Sequence, residues 1–179
     1  MRHRTLAELS LLVYSEWHDI IEGFEYRIDG QVVSIAGTKD GRDFFTDARF
    51  LPRWEDGLGL VSGGFWDVAS DLSVRIAREV RGPVTLTGHS AGGAIALLVG
   101  ANLASHRMPV KEIVTYGAPR VGRLKILDDV NHCHYRYGRD LVTYLGIRGS
   151  KGRLVKVGKP SKWWPNLKDH SMLKYREAV

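Results

Sequence analysis

With 179 residues, 44% of them hydrophobic, the chain is long enough for one domain that buries about 70% of the surface its unfolded form exposes. A single cysteine, Cys133, excludes an internal disulfide framework, and no apolar run reaches the roughly 18 residues that a membrane-spanning helix needs. The net charge of +6 is concentrated at one end: residues 146–179 hold nine Lys/Arg against two acids, which leaves the rest of the chain near neutral.

Met1-Arg2-His3-Arg4 has the look of a charged leader start. The apolar residues after it are broken by Glu8, Ser10, Glu16, His18 and Asp19, so no signal peptide is read and a cytoplasmic location is expected. Thr5-Leu6-Ala7-Glu8 has the form of a capping box, and Leu6, Leu9, Val13, Trp17, Ile20 and Ile21 continue at helical spacing, which predicts a first helix. From Glu25 to Gly37, two β-branched runs flank Asp29-Gly30 and predict a hairpin. Thr38 to Gly64 lacks periodicity and reads mostly as loop. Phe65, Val68, Leu72, Ile76 and Val80 then mark a helix that Arg81-Gly82-Pro83 ends.

Pro83 to Gly93 is the centre of the chain. The β-branched run Val84-Thr85-Leu86-Thr87 stops at Gly88-His89-Ser90-Ala91-Gly92, and an Ala/Leu-rich helical pattern follows to Leu103. A serine at the apex of such a strand-turn-helix is strained, with its hydroxyl lifted above the sheet edge. The flanking glycines remove Cβ atoms that would otherwise collide across the turn. Beyond it, Lys111 to Tyr116, Asn131 to Tyr137 and Leu154 to Val157 read as strands, with a short helix from Gly122 to Val130. Strands alternating with helices predict a parallel sheet covered on both faces, preceded by the antiparallel hairpin. Parallel strands deliver their following loops to one carboxyl edge, where Thr38, Ser90, Pro119 and Asp140 are expected to meet.

A serine hydroxyl needs an imidazole to take its proton, and the imidazole needs an acid; in this architecture they follow in the order Ser, Asp/Glu, His. His106 sits about 24 Å along the helix that starts after Ser90 and is excluded. His132 and His134 fall near the amino end of a strand, away from the catalytic edge, and no later residue order suits them. His170 follows the last strand at the mouth of a loop and is the base of choice. Asp140 comes directly after a strand on the right edge, whereas Asp128 and Asp129 fall in a helix and Asp169 adjoins His170 too closely to face it. His132 and His134 share one strand face, but no third ligand accompanies them, so no metal site is read.

These stretches together resemble the fungal-type class 3 lipase family of α/β-hydrolases. The resemblance rests on Val33-Ser34-Ile35-Ala36-Gly37-Thr38, Arg42-Asp43-Phe44-Phe45-Thr46-Asp47, Gly64-Phe65, Gly88-His89-Ser90, Tyr116-Gly117-Ala118-Pro119-Arg120-Val121-Gly122, Asp140-Leu141-Val142 and His170-Ser171. It implies a minimal α/β-hydrolase, a single domain over residues 1–179, with a mostly parallel central sheet, helices on both faces and the N-terminal hairpin. It further implies Ser90 as nucleophile, Asp140 as orienting acid, His170 as base, an oxyanion hole from the N–H groups of Thr38 and Ala91, and Asp47 bracing the Thr38 loop. Ala91 stands where the family often has Leu. Phe44 and Phe45, adjacent among charges just after the oxyanion residue, suit an amphipathic flap at the position where related lipases carry a lid.

The expectation is therefore a serine carboxyl-ester hydrolase that forms an acyl-enzyme on a lipid or small ester and uses no cofactor or metal. Two alternatives share the sequence: phospholipase or acyl-transfer chemistry on the same three residues, and a catalytically idle module that binds lipid or nucleic acid. The basic C-terminal stretch with Trp163-Trp164 suits peripheral contact with an anionic lipid surface, although a solvated face with two packing tryptophans is the commoner meaning of such a run. Nucleic acid is not expected as a partner, and no obligate protein partner is implied.

Overall fold

Side chains alternate along a strand and recur every turn or so along a helix, and these two periods sort the chain onto the two faces of one sheet. The computed structural model describes residues 3–15, 19–21, 23–37 and 50–179. Its main sheet has seven strands in the order β1 (Asp19–Ile21), β2 (Phe24–Asp29), β3 (Val32–Ile35), β6 (Val84–His89), β7 (Val110–Tyr116), β8 (His132–Tyr137) and β9 (Arg153–Val157). β2 runs antiparallel to both β1 and β3; from β3 onward every pairing is parallel. The fold is the expected α/β-hydrolase arrangement.

Helices α2 (Gly63–Glu79) and α3 (Ala91–Ser105) cover one face, where Val84, Leu86, Ile113, Phe65, Leu72, Ile76, Ile95 and Leu98 form the larger core. Every residue of α3 from Ala91 to Leu103 is buried, because it lies between the sheet and α2; its lack of a polar face follows from that position. Each large aliphatic side chain buried there contributes about 1.5–3 kcal/mol of transfer free energy. Helices α1 (His3–Leu12) and α4 (Met172–Ala178) cover the opposite face, around Leu6, Val114, Tyr116, Cys133, Tyr135, Met172 and Tyr175. Alternation along β8 sends Cys133 and Tyr135 to this second core and leaves His132 and His134 on the α3 side.

The structure departs from the sequence expectations in several places. α1 starts at His3, so Thr5 lies inside the helix and does not cap it, and Ile20 and Ile21 belong to β1. The hairpin pairs Asp29 with Val32, which moves the two-residue turn to Gly30-Gln31, with Gly30 at φ 59°. Within the stretch read as loop, β4 (Pro52–Glu55) and β5 (Gly59–Ser62) form a separate antiparallel ribbon. Its signal was faint because β4 opens on a proline and is largely exposed, so no alternation marks it. The short helix expected over Gly122 to Val130 shrinks to one 3-10 turn, Lys125–Leu127. Gly122, at φ 141°, bridges to Val61, and Leu124 is left-handed at φ 32°, so neither residue can enter a helix.

Candidate active site

β6 ends at His89 and α3 begins at Ala91, which leaves Ser90 alone at the turn with φ 56° and ψ −127°. A non-glycine residue there is strained and must be held by its surroundings. The Ser90 N–H donates to the Tyr116 carbonyl at 2.9 Å, and the Ser90 carbonyl accepts from the N–H groups of Gly93 and Ala94. The glycines on either side are sterically required: a Cβ on Gly92 would lie 2.2 Å from the Ile35 carbonyl oxygen, and one on Gly88 2.5 Å from the Gly92 backbone. α3 therefore abuts the end of β3 directly.

Ser90 follows β6 and Asp140 follows β8, with β7 between them, so the two lie about two strand spacings apart, roughly 10 Å. An imidazole with a hydrogen bond at each nitrogen bridges that gap. His170, delivered by the loop after β9 and a 3-10 turn at Leu167–Asp169, has Nε2 2.7 Å from Ser90 Oγ and Nδ1 2.8 Å from Asp140 Oδ2. A carboxylate only accepts, so the network assigns the proton to Nδ1 and leaves Nε2 as the acceptor facing the serine.

Asp140 is fully buried, and its carboxylate is filled. Oδ1 accepts the Val142 N–H at 2.9 Å and so caps the 3-10 turn Leu141–Tyr144, while Oδ2 accepts both His170 and the Tyr175 hydroxyl, the latter at 2.6 Å. Burial, followed by the Asp140 charge, pushes the Tyr175 hydroxyl well above its ordinary pKa, so it stays protonated and donates to the carboxylate. The neighbouring Asp169 faces away from the serine. Although burial opposes ionisation, its carboxylate is held below the ordinary range by donors from Ser161, the Arg139 N–H and Asn166. It binds the loop that carries His170 to the loop that carries Asp140.

His89 stacks on His170 with ring centroids 4.7 Å apart and planes at 28°. Its Nδ1 lies 3.1 Å from the Tyr14 hydroxyl, and that oxygen accepts the Gly37 N–H at 2.7 Å, so Tyr14 ties His89 to the end of the β3 segment. Burial, with the adjacent His170 adding to it and the His170 backbone partly opposing, holds the His89 pKa well below its ordinary value. A neutral ring therefore lies against the imidazole that has to become charged. Gly37, the last residue described before Thr38, sits against Ser90: a Cβ there would be 3.0 Å from Ser90 Cβ.

The structure thus brings Ser90, His170 and Asp140 into one hydrogen-bonded chain and puts buried Ala91 at the first position of α3, where helix N–H groups have no partner within the helix. Thr38, Phe44, Phe45 and Asp47 lie outside the described residues. Sequence reasoning missed Tyr175, Tyr14 and the stacked His89, whose contacts join positions far apart in the chain. His132 and His134 stand edge to face 5.4 Å apart, and His134 is spoken for by Thr115 and Ser150; among the described residues no group of three or more metal-ligating side chains forms. Nor is any described helix long and apolar enough to cross a membrane.

A mostly parallel sheet with an elbow serine at its carboxyl edge, joined through histidine to a buried aspartate, defines the chain as an α/β-hydrolase by fold. The model of the family described as Lipase (class 3) matches residues 32–148, and the chain belongs to that family. It is 29% identical over 102 residues to the secreted mono- and diacylglycerol lipase A of Penicillium cyclopium, and 33% identical over 101 residues to the secreted mono- and diacylglycerol lipase 1 of Fusarium solani. Each match takes in 51% of this chain, and 33% and 30% of the respective relative, so the matched stretch spans about a third of those proteins. In three dimensions it is similar to the nonglycosylated LIP2 lipase of Yarrowia lipolytica, with a TM-score of 0.58 over 92% of this chain and 81% of that one at 20% identity.

Proposed function

We propose that the chain is a serine carboxyl-ester hydrolase acting on acylglycerol-type lipid esters through an acyl-enzyme on Ser90. The observation that carries the reading is the unbroken chain from Ser90 Oγ to His170 to the buried Asp140, at 2.7 and 2.8 Å. His170 Nε2 takes the serine proton as Oγ attacks the ester carbonyl, and Asp140 steadies the imidazolium. Collapse of the tetrahedral intermediate expels the alcohol, which leaves with the proton from His170, and a water molecule then repeats the sequence to free the acid.

The oxyanion is assigned to the N–H groups of Ala91 and Thr38. The position of Ala91 at the N-terminus of α3, where the helix dipole favours negative charge, supports the first; the contact of Gly37 with Ser90 supports the second. Phe44 and Phe45 are proposed as the apolar side of a flap over this site. The substrate class comes from the Penicillium cyclopium and Fusarium solani relatives, both mono- and diacylglycerol lipases by name. As to compartment, the lone buried Cys133 suits the reducing setting expected from the sequence, whereas those two relatives are named as secreted.

A panel of mono-, di- and triacylglycerols, a phosphatidylcholine and p-nitrophenyl esters of rising chain length tests the reading. Release of fatty acid from the glycerol esters, lost in Ser90→Ala, is expected. Hydrolysis of the phospholipid alone would replace the acylglycerol assignment with the phospholipase one.

A further inference from the structure

Trp163 and Trp164 are both exposed to solvent. They are 76% and 43% exposed and lie edge to face against each other at 5.1 Å; Leu167, four residues after Trp163, is 49% exposed. Large apolar side chains clustered on a surface mark an interaction site, and tryptophan in particular favours the boundary between water and lipid.

The segment is held firmly. Asp169 accepts the Ser161 N–H at 3.0 Å, Asn166 Nδ2 donates to the Trp164 carbonyl at 3.1 Å, and the Asn166 N–H donates to the Arg139 carbonyl at 3.0 Å. These bonds fix both ends of Lys162-Trp163-Trp164-Pro165 and leave its rings outward. The segment also lies on the carboxyl edge of the sheet, between the end of β9 and His170, beside the loop that carries Asp140.

Charge decides which partner fits. Lys159, Lys162 and Lys168, which flank the two tryptophans in the chain, are exposed, and the Lys162 ammonium lies 4.9 Å from the Trp164 ring centre. The one carboxylate between residues 158 and 170, Asp169, is buried and committed to internal donors, so the exposed charges of this segment are all positive. Lysines around outward apolar rings match an anionic headgroup layer over hydrocarbon.

We propose that Trp163, Trp164 and Leu167, with Lys159, Lys162 and Lys168, form a docking surface for an anionic lipid bilayer. It holds the carboxyl edge of the sheet, and with it Ser90, against the lipid. The purpose of this docking rests on the ester-hydrolase reading; the binding itself does not.

The test is co-sedimentation with vesicles of pure phosphatidylcholine and of equimolar phosphatidylcholine and phosphatidylglycerol, with p-nitrophenyl butyrate hydrolysis and melting temperature measured in parallel. Four forms are compared: wild type, Trp163→Ala with Trp164→Ala, Lys159→Glu with Lys162→Glu and Lys168→Glu, and Ser90→Ala. Wild type and Ser90→Ala should bind the anionic vesicles equally, about tenfold or more above the neutral ones. Both surface variants should lose about tenfold in binding while keeping butyrate hydrolysis and melting temperature. Wild type that shows no preference for anionic vesicles, or surface variants that bind as well as wild type, would overturn the proposal. So would failure to bind vesicles alongside retention of a DNA oligonucleotide through the same lysines. Loss of butyrate hydrolysis in wild type itself would strike the hydrolase reading and leave the vesicle result standing.

Discussion

The Tyr175 hydroxyl donates to Asp140 Oδ2 at 2.6 Å, on the same oxygen that faces His170 Nδ1. The carboxylate is thus aimed from behind by a residue of α4, on the far face of the sheet from the elbow helix. Tyr175→Phe keeps the ring and removes only the donor. A hydrogen bond to a charged group is worth about 1.5–3 kcal/mol, so kcat on a soluble ester should fall about tenfold with KM little changed, and the melting temperature should drop modestly. Unchanged kcat would mean that Val142 and His170 suffice to aim Asp140.

Asp140→Asn should cost far more. The amide donates as readily as it accepts, so the imidazole loses the partner that keeps its proton on Nδ1, and turnover should fall by about 10⁴ while the fold survives on the cap to Val142. Steady-state kinetics on p-nitrophenyl butyrate, with a melting curve alongside, measure this. A loss below tenfold would point to another acid.

The elbow was legible in the sequence because everything it needs is local: a β-branched run, glycines at fixed offsets and a helix pattern. Asp140 and His170 were reachable by one further step, that parallel strands deliver their loops to a common edge. Tyr175 and Tyr14 were not, since their bonds to Asp140 and His89 join positions 35 and 75 residues apart and no spacing rule announces them. Ile20 and Ile21 misled because helical spacing also admits them, and only pairing with β2 places them in a strand. Composition showed the positive charge of the C-terminal stretch but not the outward direction of its tryptophans.

Stability should depend on acid through half-buried His134 and buried His89. Burial, with His132 adding to it, holds His134 down at about 4, while an unfolded histidine titrates near 6.5. The unfolded chain thus binds the proton first. The His134 contribution is complete above pH about 6.5 and is lost as the pH falls toward about 4, at up to about 1.4 kcal/mol per pH unit. His89 acts in the same direction. Urea unfolding at several values between about pH 7 and pH 5 should show this decline, and His134→Gln should flatten it. A variant with the wild-type slope would remove His134 from the account.

The flap reading concerns Phe44 and Phe45. Phe44→Ser with Phe45→Ser should spare a soluble short-chain ester and weaken action on emulsified acylglycerol, because only the second substrate draws an apolar surface open. Parallel loss of both activities and of melting temperature would make the two rings core residues.

Reaction with a fluorophosphonate, followed by peptide mass spectrometry, tests the central claim most directly, because the reagent phosphonylates a serine only where a base has activated it. The account predicts a single adduct on Ser90, absent in Ser90→Ala and slowed by several orders of magnitude in His170→Ala. An unlabelled Ser90 in folded protein, or labelling that persists undiminished without His170, would contradict it.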